Sequence, residues 1–223
     1  MNKKYIVIIA VLFVVISLII IYKPENSLND TEELKAELLN INGKEQADIS
    51  DELFNTIRNY LADSGVKGDI EKNLRIKDLT TDDFFRNSGC KIYEAKIDYA
   101  WVHQIIIIKE DKVLANLKGM PIEDVFLIDA DKDRNYEIYA NASIGSGLLS
   151  NEIVGYNPVK NEMYKLSDRG IKDYSIAIIE NEAMIEVKDN KENGKLLERG
   201  KLTLTIVNDK SEITIKPLIK SDE

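Results

Sequence analysis

Nine consecutive residues concentrate the chemistry this chain can do: Asp129-Ala130-Asp131-Lys132-Asp133-Arg134-Asn135-Tyr136-Glu137. Carboxylates alternate through Asp129, Asp131 and Asp133, an amide follows at Asn135, and Glu137 closes the series. Alternate side chains of a tight loop can aim their oxygens at one point. A hard cation such as Ca²⁺ takes six to eight oxygen ligands at ~2.3–2.6 Å, which such a loop can supply with a backbone carbonyl and waters. Two features oppose this. Lys132 and Arg134 add positive charge beside the ligands, and neither is the glycine that eases a sharp turn. Two readings stay open: a calcium site built from Asp129, Asp131, Asp133, Asn135 and Glu137, or an acidic β-turn that holds no ion.

Other candidates are weaker. Gly145-Ser146-Gly147 lacks the G-x-S-x-G spacing of a nucleophile elbow, and His103, the single histidine, is the sole base available to it. His103 borders an apolar run and reads as structural. Zinc needs more His or Cys than the chain owns. Asp168-Arg169 reads as an ion pair at a strand end, with an anion clamp as the alternative. Tyr93, Tyr99 and Trp101 alternate as one face of a strand, either core or a stacking stripe. Cys90, the single cysteine, reads as a small core residue and excludes an internal disulfide. Asn141-Ala142-Ser143 matches a glycosylation sequon without further support. No catalytic residue is assigned, and the expectation is that the chain is not an enzyme.

The elements that must position the acidic loop follow from periodicity. Val125–Ile128 leads into it as a strand and Glu137–Ala142 leaves it as one. Alternation from Tyr93 through Trp101, the apolar run Ile105–Ile108 and Val113–Leu117 predict strands before the loop. After it come Glu152–Tyr156, Met163–Leu166, Tyr174–Ile179, Ala183–Lys188, Leu196–Ile206 and Glu212–Lys216. Glu110-Asp111, Asn157-Pro158, Glu180-Asn181, Asn193-Gly194 and Asn208-Asp209 supply turns between them. Upstream the period changes to 3.6. Asp30 and Glu33 resemble a capping box before Leu34, Leu38 and Ile41. Ser50 caps a second helix with apolar face Leu53, Ile57, Tyr60 and Leu61, ending near Gly65. Thr80 to Ser88 predicts a short helical turn that packs Phe84 or Phe85. The fold class is mainly β (α+β overall): an N-terminal transmembrane helix, two short amphipathic helices, then an antiparallel, hairpin-rich β domain. A closed barrel, a sandwich, or sheets of the propeller-blade kind all fit; a complete propeller needs more blades than ~150 residues provide.

The acidic loop resembles the short calcium loops of FG-GAP-type repeats, which run D-x-D-x-D-G-x-x-[DE] between two strands. A wider pattern is I-D-A-D at 128–131, E-I-Y at 137–139, G-S-G at 145–147, Y-K-L-S-D-R-G at 164–170 and D-Y at 173–174. Over about residues 120–205 it is similar to an extracytoplasmic domain of Firmicute membrane proteins. Some of those are labelled antirepressor-type regulators of β-lactamase genes. The metallopeptidase part that precedes the domain there has no counterpart here, since the chain lacks H-E-x-x-H. The resemblance implies a sensory or accessory module and brings no functional residues with it.

Residues 5–22, YIVIIAVLFVVISLIIIY, fix the expected location. A helix of this length spans roughly 27 Å, close to a ~30 Å hydrocarbon core. Neither a small-residue cleavage site nor a cysteine follows the run, so it reads as an uncleaved anchor. Lys3 and Lys4 before it against Lys23 after it place the N-terminus in the cytoplasm. The expected organisation is a cytoplasmic tail at 1–4, the anchor at 5–22, a linker at 23–29, a helical segment at 30–66 and a β-rich extracytoplasmic domain at 67–223. The chain carries 39 acidic against 30 basic side chains, and three of the basic ones lie in the first 23 residues, which contain no acid. So acidic a domain argues against a nucleic-acid partner. The expected function is a single-pass, membrane-anchored extracytoplasmic binding or sensory/accessory module of unassigned ligand; the tail is too short to signal, so either a membrane-protein partner carries any signal or the anchor only localises the domain. The alternatives are a metal-assisted envelope hydrolase and a structural envelope protein without ligand.

Overall fold

The computed structural model describes residues 36–39, 49–67, 69–97, 102–145, 149–168, 171–191, 194–207 and 210–218. The proposed anchor therefore lies outside the described residues. Among them, no helix is long and apolar enough to cross a membrane.

Twelve of the described strands form three antiparallel four-stranded meanders, each completed before the next begins. The first comprises β2 (Arg75–Asp78), β3 (Lys91–Ile97), β4 (Val102–Lys109) and β5 (Lys112–Gly119). The second comprises β6 (Ile122–Ile128), β7 (Glu137–Ile144), β8 (Ser150–Asn157) and β9 (Glu162–Leu166). The third comprises β10 (Lys172–Ile179), β11 (Glu182–Asp189), β12 (Leu196–Val207) and β13 (Lys210–Pro217). A further strand, β1 (Ala36–Leu39), pairs antiparallel with β6 and makes the second sheet five-stranded. Two-residue turns at Glu110-Asp111 and Glu180-Asn181 have positive φ at both positions, the geometry that matches the twist of a hairpin.

The second sheet is the middle layer of a stack. Val125, Leu127, Ile138, Ala140 and Val154 pack against Ile92, Ile105, Ile107 and Leu117 of the first sheet. From its opposite face, Phe126, Ile128, Tyr139 and Ile153 pack against Ile176, Ile185, Leu202 and Ile213 of the third. Strands covered on both faces lose the polar alternation of a half-exposed sheet, which is why β7 and β8 are buried almost throughout. The first sheet's outer face is covered by α1 (Asp51–Asp63) and α2 (Ile70–Asn73), through Ile57, Leu61 and Ile70 against Tyr93, Ala95, Ile106 and Ile108. Ser50 caps α1 by accepting the Leu53 N–H at 3.3 Å, and Gly65 ends it at φ 86°. α3 (Asp82–Ser88) buries Phe84 and leaves Phe85 exposed.

Three expectations change. The closed barrel is excluded, because each described sheet has two edges. The helix expected around Leu34, Leu38 and Ile41 is replaced, at Ala36–Leu39, by β1. A short apolar-periodic segment has little helical stability of its own, so the open edge of β6 wins: Leu39 pairs with Val125 and is buried in the core between the first two sheets. The single strand through Tyr93, Tyr99 and Trp101 is also corrected. β3 ends at Ile97, and β4 returns antiparallel with Val102 opposite Ile97. Tyr93 is core; Tyr99 and Trp101 lie outside the described residues.

Candidate metal centre

The acidic loop connects β6 to β7, the first hairpin of the middle sheet, where Ile128 stands opposite Glu137. Its backbone is wound by its own carboxylates. Asp129 Oδ2 accepts the Arg134 N–H at 3.1 Å, Asp131 Oδ1 accepts the Asp133 N–H at 3.2 Å, and Asp133 Oδ1 accepts the Asn135 N–H at 2.8 Å. Lys132 and Arg134 take φ values of 62° and 72°, the left-handed region that glycine enters most cheaply. The two substitutions that seemed to argue against the turn thus leave it formed, its backbone N–H groups collected by the Asp side chains.

Of the five residues read as ligands, the fold brings three together. One carboxylate oxygen from each of Asp129, Asp131 and Glu137 lies within 4.8 Å of the other two. That spread suits oxygens placed ~2.3–2.6 Å around one ion. Asp133 is exposed and Asn135 half-buried in the same loop, and the three-carboxylate cluster forms without Asp133.

Glu137 is fully buried. Its Oε2 accepts the Ala130 N–H at 2.9 Å and its Oε1 accepts the Asn157 Nδ2–H at 2.8 Å. Burial still pushes its carboxyl up to about 8; the Ala130 N–H opposes this, and Asp131, Asp133 and Asp129 add to it. Burial also raises Asp129, against the Arg134 N–H, with Asp133 and Asp131 adding repulsion. Asp129 Oδ1 is buried with no hydrogen-bond partner. The Tyr139 hydroxyl, two residues beyond Glu137 on the same face of β7, is likewise buried and unpartnered. Burial and then the Glu137 carboxylate hold its phenol well above the usual range. Acidic groups thus sit in a low-dielectric place where their charged forms are incompletely compensated, which favours their protonation unless a cation takes the proton's place.

Two participants were not recognised from the sequence. Asn157, fully buried at the end of β8, donates to Glu137 and accepts the Val159 and Lys160 N–H groups at 2.9 and 2.8 Å. Lys160, in the β8–β9 turn, places Nζ on Asp131 Oδ2. Asn157-Pro158 signalled a turn, but nothing local linked that turn to a loop more than twenty residues earlier.

The remaining candidates resolve as follows. His103 is buried; its Nδ1 accepts the Ile122 N–H at 3.0 Å and its Nε2 lies 2.6 Å from Glu94 Oε1. Because Nδ1 accepts, the proton sits on Nε2 and is donated to Glu94, so both ring nitrogens are committed. Cys90 is buried in the core between the first two sheets, and burial raises its thiol. Asn141 is buried, so the sequon is inaccessible. Asp168 forms an isolated bridge with Lys172, while Ser146, Gly147 and Arg169 lie outside the described residues.

Comparison with known proteins adds no identity: no family model, curated protein or solved structure matches the chain.

Proposed function

We propose that this chain is a non-catalytic binding module whose β6–β7 loop takes up a hard divalent cation, Ca²⁺ by preference. The observation that carries the reading is the cluster of Asp129, Asp131 and Glu137, with a buried, unpartnered oxygen on Asp129. An all-oxygen set of carboxylates suits Ca²⁺ better than Zn²⁺, which takes nitrogen and sulfur, or Mg²⁺, which keeps its waters and demands octahedral geometry. Asp133, Asn135 and waters are available to complete six to eight ligands. The apolar run at 5–22 supports a single-pass tether with the β domain outside the cell, where calcium reaches the concentrations that weak sites need. On this reading the ion orders a surface that a membrane partner or ligand recognises.

Calcium titration of the full chain in mild detergent tests this, followed by melting temperature. A rise with Ca²⁺ that is lost in Asp131→Ala is expected. No rise at millimolar Ca²⁺ would overturn the reading. A hydrolase working through these carboxylates would in addition need an attacking water and a general base beside the ion. The single histidine is committed elsewhere, so the binding reading is preferred.

A further inference from the structure

We propose that Lys160 is the resident counter-ion of the acidic loop, which a divalent cation must displace from Asp131, so that Lys160 sets the cation concentration at which the loop fills. This rests on the cation reading of the loop and adds its regulation.

Lys160 is delivered to the loop by built structure. Asn157 fixes the β8–β9 turn by accepting the Val159 and Lys160 N–H groups, and the same buried side chain donates to Glu137. The turn is pinned again by Tyr156, whose hydroxyl donates to Asn161 Oδ1 at 2.9 Å. One residue thus positions both a loop carboxylate and the lysine that answers its neighbour. The ion pair is asymmetric in exposure: the Lys160 side chain is 41% exposed and that of Asp131 16%. The ammonium can swing into water, whereas the carboxylate stays where it is.

A single ammonium does not complete the site. Nζ answers Asp131, while Asp129 Oδ1 and the Tyr139 hydroxyl, itself in a fully buried side chain, remain without partners. A divalent cation at ~2.3–2.6 Å from these carboxylates compensates more of the charge, but both Asp131 oxygens are engaged, Oδ1 by the Asp133 N–H and Oδ2 by Nζ, and the exposed ammonium is the partner free to leave. Two cations on one carboxylate oxygen repel, so occupation by one disfavours the other, and linkage turns that into a weaker apparent affinity. A partly exposed pair of this kind lowers the apparent affinity by up to about fivefold.

The test is Ca²⁺ titration of the full chain in mild detergent at fixed ionic strength, read by calorimetry and by melting temperature. Lys160→Met keeps the aliphatic stem and removes the charge; Lys160→Gln is the second variant should the first fold poorly. The Ca²⁺ midpoint is expected to fall by up to about fivefold in both, and Asp131→Asn added to Lys160→Met should abolish the response. Lys160→Arg retains the weak wild-type midpoint. Lys165→Met, which removes a charge paired with Glu152 instead, serves as the net-charge control and should leave the midpoint in place. Equal midpoints in wild type and Lys160→Met would overturn the proposal and leave the loop reading standing. A higher midpoint in Lys160→Met would overturn it too, because Lys160 would then assist binding. Absence of any Ca²⁺ response in wild type and variants alike overturns both.

Discussion

β7 buries Glu137, Asn141 and Ser143 on one face, and the first two, four residues apart, are handled in opposite ways. Asn141 is closed. Its Oδ1 accepts the Ile176 N–H at 2.7 Å and its Nδ2 donates to Ile176 O at 3.0 Å and to Asp124 Oδ2 at 3.2 Å. It copies a strand's own hydrogen bonds with a side chain and so joins the edge strand β10 to the middle sheet. Glu137 is open. It receives two N–H donors, yet Asp129, Asp131 and Asp133 crowd it with like charge, and a neighbouring oxygen goes unpartnered. A polar group with every partner supplied from within is architecture. A polar cluster that needs a partner from outside is a candidate site.

The largest expected effect breaks the open joint with protons. In chelator, so that no divalent ion intervenes, the folded chain keeps a proton on Glu137 up to about pH 8, whereas the unfolded chain releases it near 4.5. Between these values the folded state binds more protons, so stability falls as pH rises, by on the order of 5 kcal/mol in all. Asp129 is raised as well and contributes with the same sign. Glu137→Gln should flatten this part of the pH profile. A denaturant midpoint that stays constant from pH 5 to pH 8 in the wild type would contradict the open joint.

Next in size is the closed joint. Asn141→Ala strands the N–H and C=O of Ile176 and should cost about 3 kcal/mol, independent of both pH and Ca²⁺. Chemical denaturation at two pH values, with and without Ca²⁺, checks this; dependence on either variable would erase the distinction between the joints. A smaller cost is expected for Gly155→Ala. A Cβ there would stand 2.7 Å from the Tyr139 ring and 3.2 Å from Ile138 O, overpacking the contact on which Tyr139 lies for about 2 kcal/mol. The melting temperature should drop while the Asn141 bonds persist. Smallest of all is Tyr139→Phe. Its hydroxyl has no partner, so removal should change stability by less than ~1 kcal/mol and be neutral or stabilising in chelator. A loss of several kcal/mol would mean that the hydroxyl is satisfied after all.

Much of the fold was legible because it is local. Alternation marked β3, a continuous apolar run marked β4, and short apolar segments between turn signals marked β5 through β13; paired turn residues such as Glu110-Asp111 and Glu180-Asn181 marked hairpins that join them. Ser50 and Gly65 bounded α1 by chemistry within a few residues of its ends. The misreadings share a cause. Leu34, Leu38 and Ile41 read as a helix because helical spacing is visible in the sequence, whereas the open edge of β6, far along the chain, is not. The aromatic alternation from Tyr93 to Trp101 hid a reversal between Ile97 and Val102 for the same reason.

The site divides along the same line. By itself the sequence determined that acidic oxygens alternate from Asp129 to Glu137 between two strands, because side-chain spacing and turn chemistry act over a few residues. Only the tertiary structure decided which of those oxygens converge, that Glu137 is buried among like charges, and that Asn157 and Lys160 arrive from another turn. Burial and charge compensation are properties of what packs against a residue, and in a stack of three sheets that neighbour comes from a distant part of the chain.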